Sequence, residues 1–271
     1  MSVDDSLIGR WPGSAAFAVL RLNGSRVERL VEGGDLDEVR PWASVSKMVV
    51  ALAVGVEVDW GLVRYEDTSG LAGATLAELM SHCSGLGLEA GDRTVERATR
   101  RVYSNVAIDL AVGGIVGDGD PARWLDDRVF TPIGLSNSRL DGRAAAGVVG
   151  STNDLAQLAI AWLRSDGLTE TTRDRIITPY LGALSGVVPG FGRFDPCPWG
   201  LGPEIRGAKR HWMGQWPPDS FGHFSQSGAL ILANVAAGVA VVATSTAPFG
   251  PWAVELWPQF TSEAWKHASR K

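Results

Sequence analysis

The sequence predicts an α+β fold, in which an antiparallel sheet flanked by helices stands beside a mainly helical lobe. Three observations predict it. Strand-like segments gather at both ends of the chain, helix-like segments fill the middle, and one amphipathic helix closes the C-terminal end. A cleft between two such lobes is a natural place for a site. The 271 residues are read as a single domain. Its α/β lobe comes from both chain ends (about 1–60 and 182–271) and its helical lobe from about 61–181.

The first strands form a hairpin. Ala15 to Leu22 is apolar and β-prone, Asn23-Gly24 is a turn dipeptide, and Val27 to Val31 supplies the return strand. Met48 to Val58 is apolar throughout, and its length suits a buried helix. Thr75 followed by Glu78 reads as a capping box for a short helix to His82. Asn105 to Val116 reads as a buried helix. Pro121 opens a helix to Phe130, since proline suits a first helical turn. Ser151 to Arg164 is the best amphipathic segment, with Leu155, Leu158, Ala159, Trp162 and Leu163 on one side. Gly182 to Pro218 is dense in Gly and Pro and reads as loops, with a strand near Trp199 to Ile205. Gly228 to Val235 and Gly238 to Ser245 are two strands around a tight turn. Trp252 to Lys266 is expected as a helix kinked or divided at Pro258.

Composition bounds the function. Hydrophobic residues make up 45% and charged residues 20%, an ordinary globular balance. The net charge of −5 argues against a nucleic-acid partner. No apolar run is long enough to span a membrane, and Met1 to Ser6 is acidic and lacks the pattern of a signal peptide. The expectation is a cytoplasmic protein without a membrane partner. The two cysteines, Cys83 and Cys197, exclude a disulfide scaffold. His82, His211, His223 and His267 show no ligand spacing, so neither a metal nor a cofactor is expected. Eleven Trp against three Tyr is unusual. Most should be core, while one or two of the run Trp199, Trp212 and Trp216 are expected to wall a substrate pocket, with Trp212 and Trp216 taken as substrate-binding.

Three constellations carry chemistry. In Ser44-Val45-Ser46-Lys47, a helix starting near Ser44 puts the Lys47 amine on the same face as the Ser44 hydroxyl. Burial lowers a lysine pKa and lets it activate a serine. Taken alone, the pair reads equally as a helix cap beside a solvated lysine. In Tyr103-Ser104-Asn105, a phenol can relay protons if nearby cations lower its pKa, and an amide two residues on can hold a lysine and a substrate carbonyl. A buried Tyr and a capping Asn explain that segment as well. Gly222-His223-Phe224-Ser225-Gln226-Ser227-Gly228 leads into a strand. There an edge can align substrate, a backbone N–H can join an oxyanion hole, and His223 can add a polar or cationic group.

In order along the chain, these three segments resemble those of the serine β-lactamases and penicillin-binding DD-peptidases. The nearer branch holds class C β-lactamases and family VIII esterases, with Ser-x-x-Lys, Tyr-x-Asn and Lys/His/Trp-x-Gly motifs. Leu79-Met80-Ser81-His82-Cys83-Ser84-Gly85-Leu86, Thr131-Pro132-Ile133-Gly134-Leu135, Gly150-Ser151-Thr152-Asn153-Asp154-Leu155 and Trp199-Gly200-Leu201-Gly202 extend the resemblance through nearly the whole chain. It implies the β-lactamase/DD-peptidase-like fold and a set of roles. Ser44 would be the acylated nucleophile, Lys47 its proton partner and Tyr103 the general base. Asn105 would orient substrate, and the backbone N–H groups of Ser44 and Gln226 would form the oxyanion hole. His223 would stand where other members place Lys. Two features depart from the pattern. Ser225 occupies a position that is usually Gly, and the Gly61 to Ala74 stretch is short.

The resulting expectation is a serine hydrolase acting on a small-molecule ester or amide. A β-lactamase or DD-carboxypeptidase, a β-lactam being the substrate of the former, is the second reading. A non-catalytic binder that keeps the fold is the third, and acyl transfer to a small acceptor shares every residue named. His223 in place of Lys weakens the hold on a substrate carboxylate, which favours the esterase reading.

Overall fold

The computed structural model describes residues 8–68 and 73–269. The acidic start and part of the Gly61–Ala74 stretch lie outside the described residues. The hairpin forms as expected, with β1 at Ala15–Asn23 and β2 at Arg26–Gly33 around Gly24, which adopts φ +59°. A two-residue strand β3 (Arg40–Pro41) joins β4 (Arg139–Leu140) and β5 (Val148–Gly150) in a small sheet of order β3-β5-β4, with β5 pairing to both. The short hairpin β6 (Gly186–Val188) and β7 (Gly192–Phe194) stands apart in the Gly/Pro-rich region. The strand expected near Trp199 to Ile205 shrinks to β8 (Glu204–Ile205), because Gly200, Leu201 and Gly202 turn back, and Trp199 bridges to Glu204. Strands β9 (Phe221–Phe224), β10 (Leu230–Asn234) and β11 (Val239–Ser245) complete the main sheet. Its order is β2-β1-β11-β10-β9-β8, and every pairing is antiparallel.

Both faces of this sheet are covered, which explains why its central strands are apolar without interruption. Alternate side chains divide between two hydrophobic clusters. Ala18, Leu20, Ile231 and Val242 face one cluster, and Phe17, Val19, Leu230 and Val241 face the other. The first cluster includes α1 (Ser46–Asp59), buried along nearly its whole length, as a helix apolar on all sides must be. Helix α2 (Leu76–Met80) carries the expected capping box, with Glu78 N–H on Thr75 Oγ1 at 3.2 Å and Thr75 N–H on Glu78 Oε2 at 2.8 Å. Helix α3 (Asn105–Val116) follows, capped by Ser104. Helix α4 (Pro121–Leu125) runs into a π turn at Asp126–Phe130, so the expected helix to Phe130 forms with a wider last part. Helix α5 (Thr152–Arg164), capped by Ser151, packs on β1, β10 and β11. The sequence boundaries had put it in the helical lobe, yet its apolar face covers the sheet. Helix α6 (Glu170–Ile176) packs against α1.

The last helix, α7 (Pro251–Ser269), covers the second face of the sheet and runs unbroken through Pro258. The expected division does not occur. Thr261 Oγ1 donates to Trp257 O at 2.9 Å and Ser262 Oγ to Pro258 O at 2.6 Å. Pro258 has no N–H to offer the Val254 carbonyl one turn back, so the helix gives up that one bond and continues while its apolar face stays packed on the sheet. None of the described helices is long and apolar enough to cross a membrane.

Candidate active site

The site lies where α1, the start of α3 and the β9 edge meet. Ser44 occupies a 3₁₀ turn (Ala43–Val45) that leads straight into α1. Ala43 adopts φ +43°, a left-handed conformation that costs a non-glycine residue of order 1 kcal/mol and turns the chain sharply before the serine. Lys47 then falls one turn on. Its Nζ lies 3.4 Å from Ser44 Oγ, and it donates to Asn105 Oδ1 at 2.7 Å and to Ala145 O at 2.9 Å. The lysine is fully buried and, among the described residues, has no carboxylate within ion-pair distance. Burial pulls its pKa down to about 7, partly offset by Asp109 and Glu89 and reinforced by Arg143.

A shell of charged side chains holds these groups in place. Asn105 Nδ2 donates to Glu89 Oε1 at 2.7 Å, and Glu89 pairs with Arg143 at 2.5 Å. Arg143 also pairs with Asp109 at 2.5 Å, and Asp109 accepts from Ala145 N–H at 2.9 Å. Both acceptors of the Lys47 ammonium are therefore fixed from behind. The sequence reading missed Glu89, Asp109, Arg143 and Ala145. Two local signals pointed toward them: Glu89 follows the Leu79–Leu86 segment closely, and Asp109 falls one turn past Asn105 on α3.

Tyr103 sits with its ring face 4.8 Å from the Lys47 ammonium. Its pKa does not fall as a base mechanism first suggests. Burial raises it above the ordinary tyrosine value, against the lowering effect of a hydrogen bond to Ser44. The cation lies over the ring rather than beside the oxygen, so the free protein holds Tyr103 as the neutral phenol. Its hydroxyl is 3.4 Å from His223 Nε2. His223 Nδ1 lies 2.6 Å from Phe224 O, and because a carbonyl only accepts, Nδ1 carries the proton and Nε2 is the acceptor. Burial, helped by the Lys47 charge, pushes His223 down to about 3, so it is neutral here. His82, at φ +58°, backs the Tyr103 ring with centroids 4.5 Å apart. Its Nδ1 accepts from Ser104 N–H at 3.2 Å, and burial holds its pKa well below the ordinary value.

The β9 edge faces this cluster. Strand β8 pairs with Phe221 and Gly222 only, which leaves the His223–Phe224 half uncovered on that side. The Ser225 hydroxyl folds into the following turn. There it meets Ser227 Oγ at 2.7 Å and accepts from Ala229 N–H at 3.1 Å. Among the described residues, the backbone N–H groups of Ser44 and Gln226 donate to no protein acceptor. A pocket of about 300 Å³ joins Ser44, Tyr103, His223, Ser225 and Gln226, and its apolar walls are Pro189, Trp199 and Phe224.

Trp212 and Trp216 are not those walls. Both are buried in the second hydrophobic cluster. Trp212 Nε1 donates to Glu204 Oε2 at 2.8 Å, and Trp216 Nε1 to Thr261 O at 2.7 Å. An indole N–H removed from water needs such an acceptor, and these acceptors sit in the core. Trp212 supports Phe224 from behind, with ring centroids 5.5 Å apart.

Comparison with known proteins gives one consistent answer. The Beta-lactamase family model matches residues 13–264. A crystal structure of a β-lactamase from Mycobacterium bovis superposes with a TM-score of 0.91 at 33% identity, covering 98% of this chain and 99% of that one. Simvastatin synthase from Aspergillus terreus superposes with a TM-score of 0.77 at 13% identity, covering 98% and 97%. A family VIII carboxylesterase does so at 0.74 and 15% identity, covering 96% of each chain. The last two likenesses concern the fold. No curated protein sequence matches the chain.

Proposed function

We propose, from the premise that the chain belongs to the Beta-lactamase family, that it is a serine hydrolase opening small esters or amides through an acyl-enzyme on Ser44. The observation that carries this reading is Lys47, buried without a contacting carboxylate, 3.4 Å from Ser44 Oγ and held near pKa 7. A lysine is otherwise a poor base at neutral pH.

The steps follow from the protonation states. Neutral Lys47 takes the Ser44 proton as Oγ attacks the substrate carbonyl. The oxyanion is received by the N–H groups of Ser44 and Gln226. Neutral Tyr103 gives its proton to the departing oxygen or nitrogen, and its phenolate is stabilised by the Lys47 ammonium. In deacylation that phenolate takes a proton from water, the hydroxide attacks the acyl carbonyl, and Lys47 returns its proton to Ser44. Every proton is restored. Tyr103 keeps a base's role, in the second half of the cycle, and Lys47 is the base of the first. Neutral His223 accepts from the Tyr103 hydroxyl and offers no cation to a carboxylate beside the scissile bond, which favours esters over penicillin-like substrates.

Hydrolysis of β-lactams is the second reading, favoured by the 33% identity to a structure described as a β-lactamase. Intact mass after brief exposure to a p-nitrophenyl ester and, separately, to a penicillin decides between them. The expected result is an adduct or turnover with the ester that Ser44→Ala abolishes. Labelling by the penicillin alone selects the second reading. Folded protein inert to both reagents would return the chain to the non-catalytic binder.

A further inference from the structure

Beyond Tyr103 the small pocket gives way to a larger groove of about 790 Å³, which shares Tyr103 and Pro189 with it. The two spaces differ in chemistry. The exposed side chains of Leu88 and Val187 give the groove an apolar stretch, and Arg100, Arg101 and Arg193 line it with no acidic residue among its walls. In a chain of net charge −5, three cations and no anion along one groove is a pronounced local departure.

The three arginines are not equivalent. Arg101 is buried, and its guanidinium is spent on the carbonyls of Ser81, Tyr180, Leu181 and Cys197. It fixes the wall and leaves its charge unneutralised. Arg100 and Arg193 are exposed and, among the described residues, neither has a carboxylate partner. Arg193 reaches only Ser185 Oγ, at 3.3 Å. Two free guanidinium groups beside an apolar stretch are complementary to an apolar segment that carries an anion.

The Tyr103 hydroxyl tells which part of the substrate this is. It points toward Ser44 and His223, which line the small pocket and not the groove. A leaving group protonated by that hydroxyl lies in the small pocket, so the groove on the other side of Tyr103 receives the acyl chain.

We propose that the protein is selective for esters or amides of an apolar acyl chain ending in an anionic group, and that Arg100 and Arg193 bind that anion. This assignment rests on the serine-hydrolase reading above. It places the acyl carboxylate away from the scissile bond, where neutral His223 is of no consequence to it.

The test compares p-nitrophenyl monoesters of adipate and suberate with p-nitrophenyl hexanoate and octanoate, on the full chain. For at least one chain length kcat/KM is expected to favour the carboxylate by about tenfold, the size of a charge-assisted contact. Arg100→Ala/Arg193→Ala abolishes that preference and leaves the neutral esters within about twofold, since both side chains are exposed. Salt erodes the preference in the wild type. Equal rates on charged and neutral esters, or a preference that survives in the double variant, would overturn the assignment. So would a preference seen with a 3-(4-acetoxyphenyl)propionate over its primary amide, which places the anion on the leaving group. Ser44-dependent turnover of the neutral esters reports the hydrolase separately. Its absence from folded protein removes the hydrolase reading and this assignment together.

Discussion

Among the described residues two lysines are buried, and their surroundings are opposite. Lys47 touches only neutral oxygens, those of Ser44, Asn105 and Ala145. Lys209 is buried to the same degree but lies 2.6 Å from the Glu204 carboxylate, which also meets His211 at 2.7 Å and Trp212 at 2.8 Å. Lys209 also donates to Pro198 O at 3.1 Å, and its ammonium is 5.5 Å from the Trp199 ring. The fold therefore has the means to neutralise a buried ammonium, and uses it beneath the pocket wall. At the site it sets Glu89 and Asp109 one layer back, where they temper the Lys47 charge without fixing it. Lys47 is denied a contacting carboxylate, and Lys209 is given one.

The largest effect expected from this contrast is on stability. Glu204→Gln leaves the Lys209 ammonium buried without its counterion, which costs about 3–5 kcal/mol. The Glu204 pKa is held well below its ordinary value by Lys209 and then His211, against the opposing and larger effect of burial. A depressed carboxylate stabilises the fold above its unfolded pKa, and that contribution is lost as pH falls through the folded value. Urea unfolding at pH 7 measures the cost. A loss below about 1 kcal/mol would mean the pair is solvated, and the contrast with Lys47 would fail.

Lys47 is expected to behave in the opposite way. Its folded pKa, about 7, is below the ordinary lysine value of 10.5. The unfolded chain then binds more protons between these values, so stability rises with pH across that window. The penalty is complete below pH 7 and relaxes toward pH 10.5. Measured against Lys47→Met, which cannot titrate, wild-type stability should gain roughly 2 kcal/mol between pH 7 and pH 9. A flat difference across that range would show that Lys47 stays protonated, and would remove it as the base.

How far the sequence foretold each region depends on how local the information is. Ser44 with Lys47, and Tyr103 with Asn105, are separated by one helical turn or less, so their juxtaposition is written in their spacing. The hairpin at Gly24 and the cap at Thr75 are equally local. The shell behind Lys47 is not. Glu89 and Arg143 are 54 residues apart, and no periodicity links them. Trp212 and Trp216 were misplaced for a related reason. Composition shows that large aromatics are present, but which face of the sheet they meet is set by α7, far along the chain. The Glu204–Lys209 pair lies in a Gly- and Pro-rich loop, where neither helix nor strand spacing applies. Pro258 reads as a break because the lost backbone bond is local and visible in the sequence, while the packing of α7 on the sheet, which holds the helix together, is not.

The smallest effect is also the most specific. The rate of acylation is expected to rise with pH through about 7, as Lys47 loses its proton. Asp109 raises the Lys47 pKa and Arg143 lowers it, although the two are paired with each other at 2.5 Å. Removing one charge of the pair therefore shifts the limb in one direction and removing the other shifts it back. Asp109→Asn should move the acid limb of kcat/KM to lower pH, because the ammonium loses an anion that favours it. Arg143→Gln should move it to higher pH, because a repelling cation is gone. Both variants loosen the same shell and would damage activity alike if the shell only positioned Asn105 and Ala145. Opposite shifts of the limb therefore report charge acting on Lys47, while equal shifts, or losses of rate with no shift, would reduce Glu89, Asp109 and Arg143 to scaffolding.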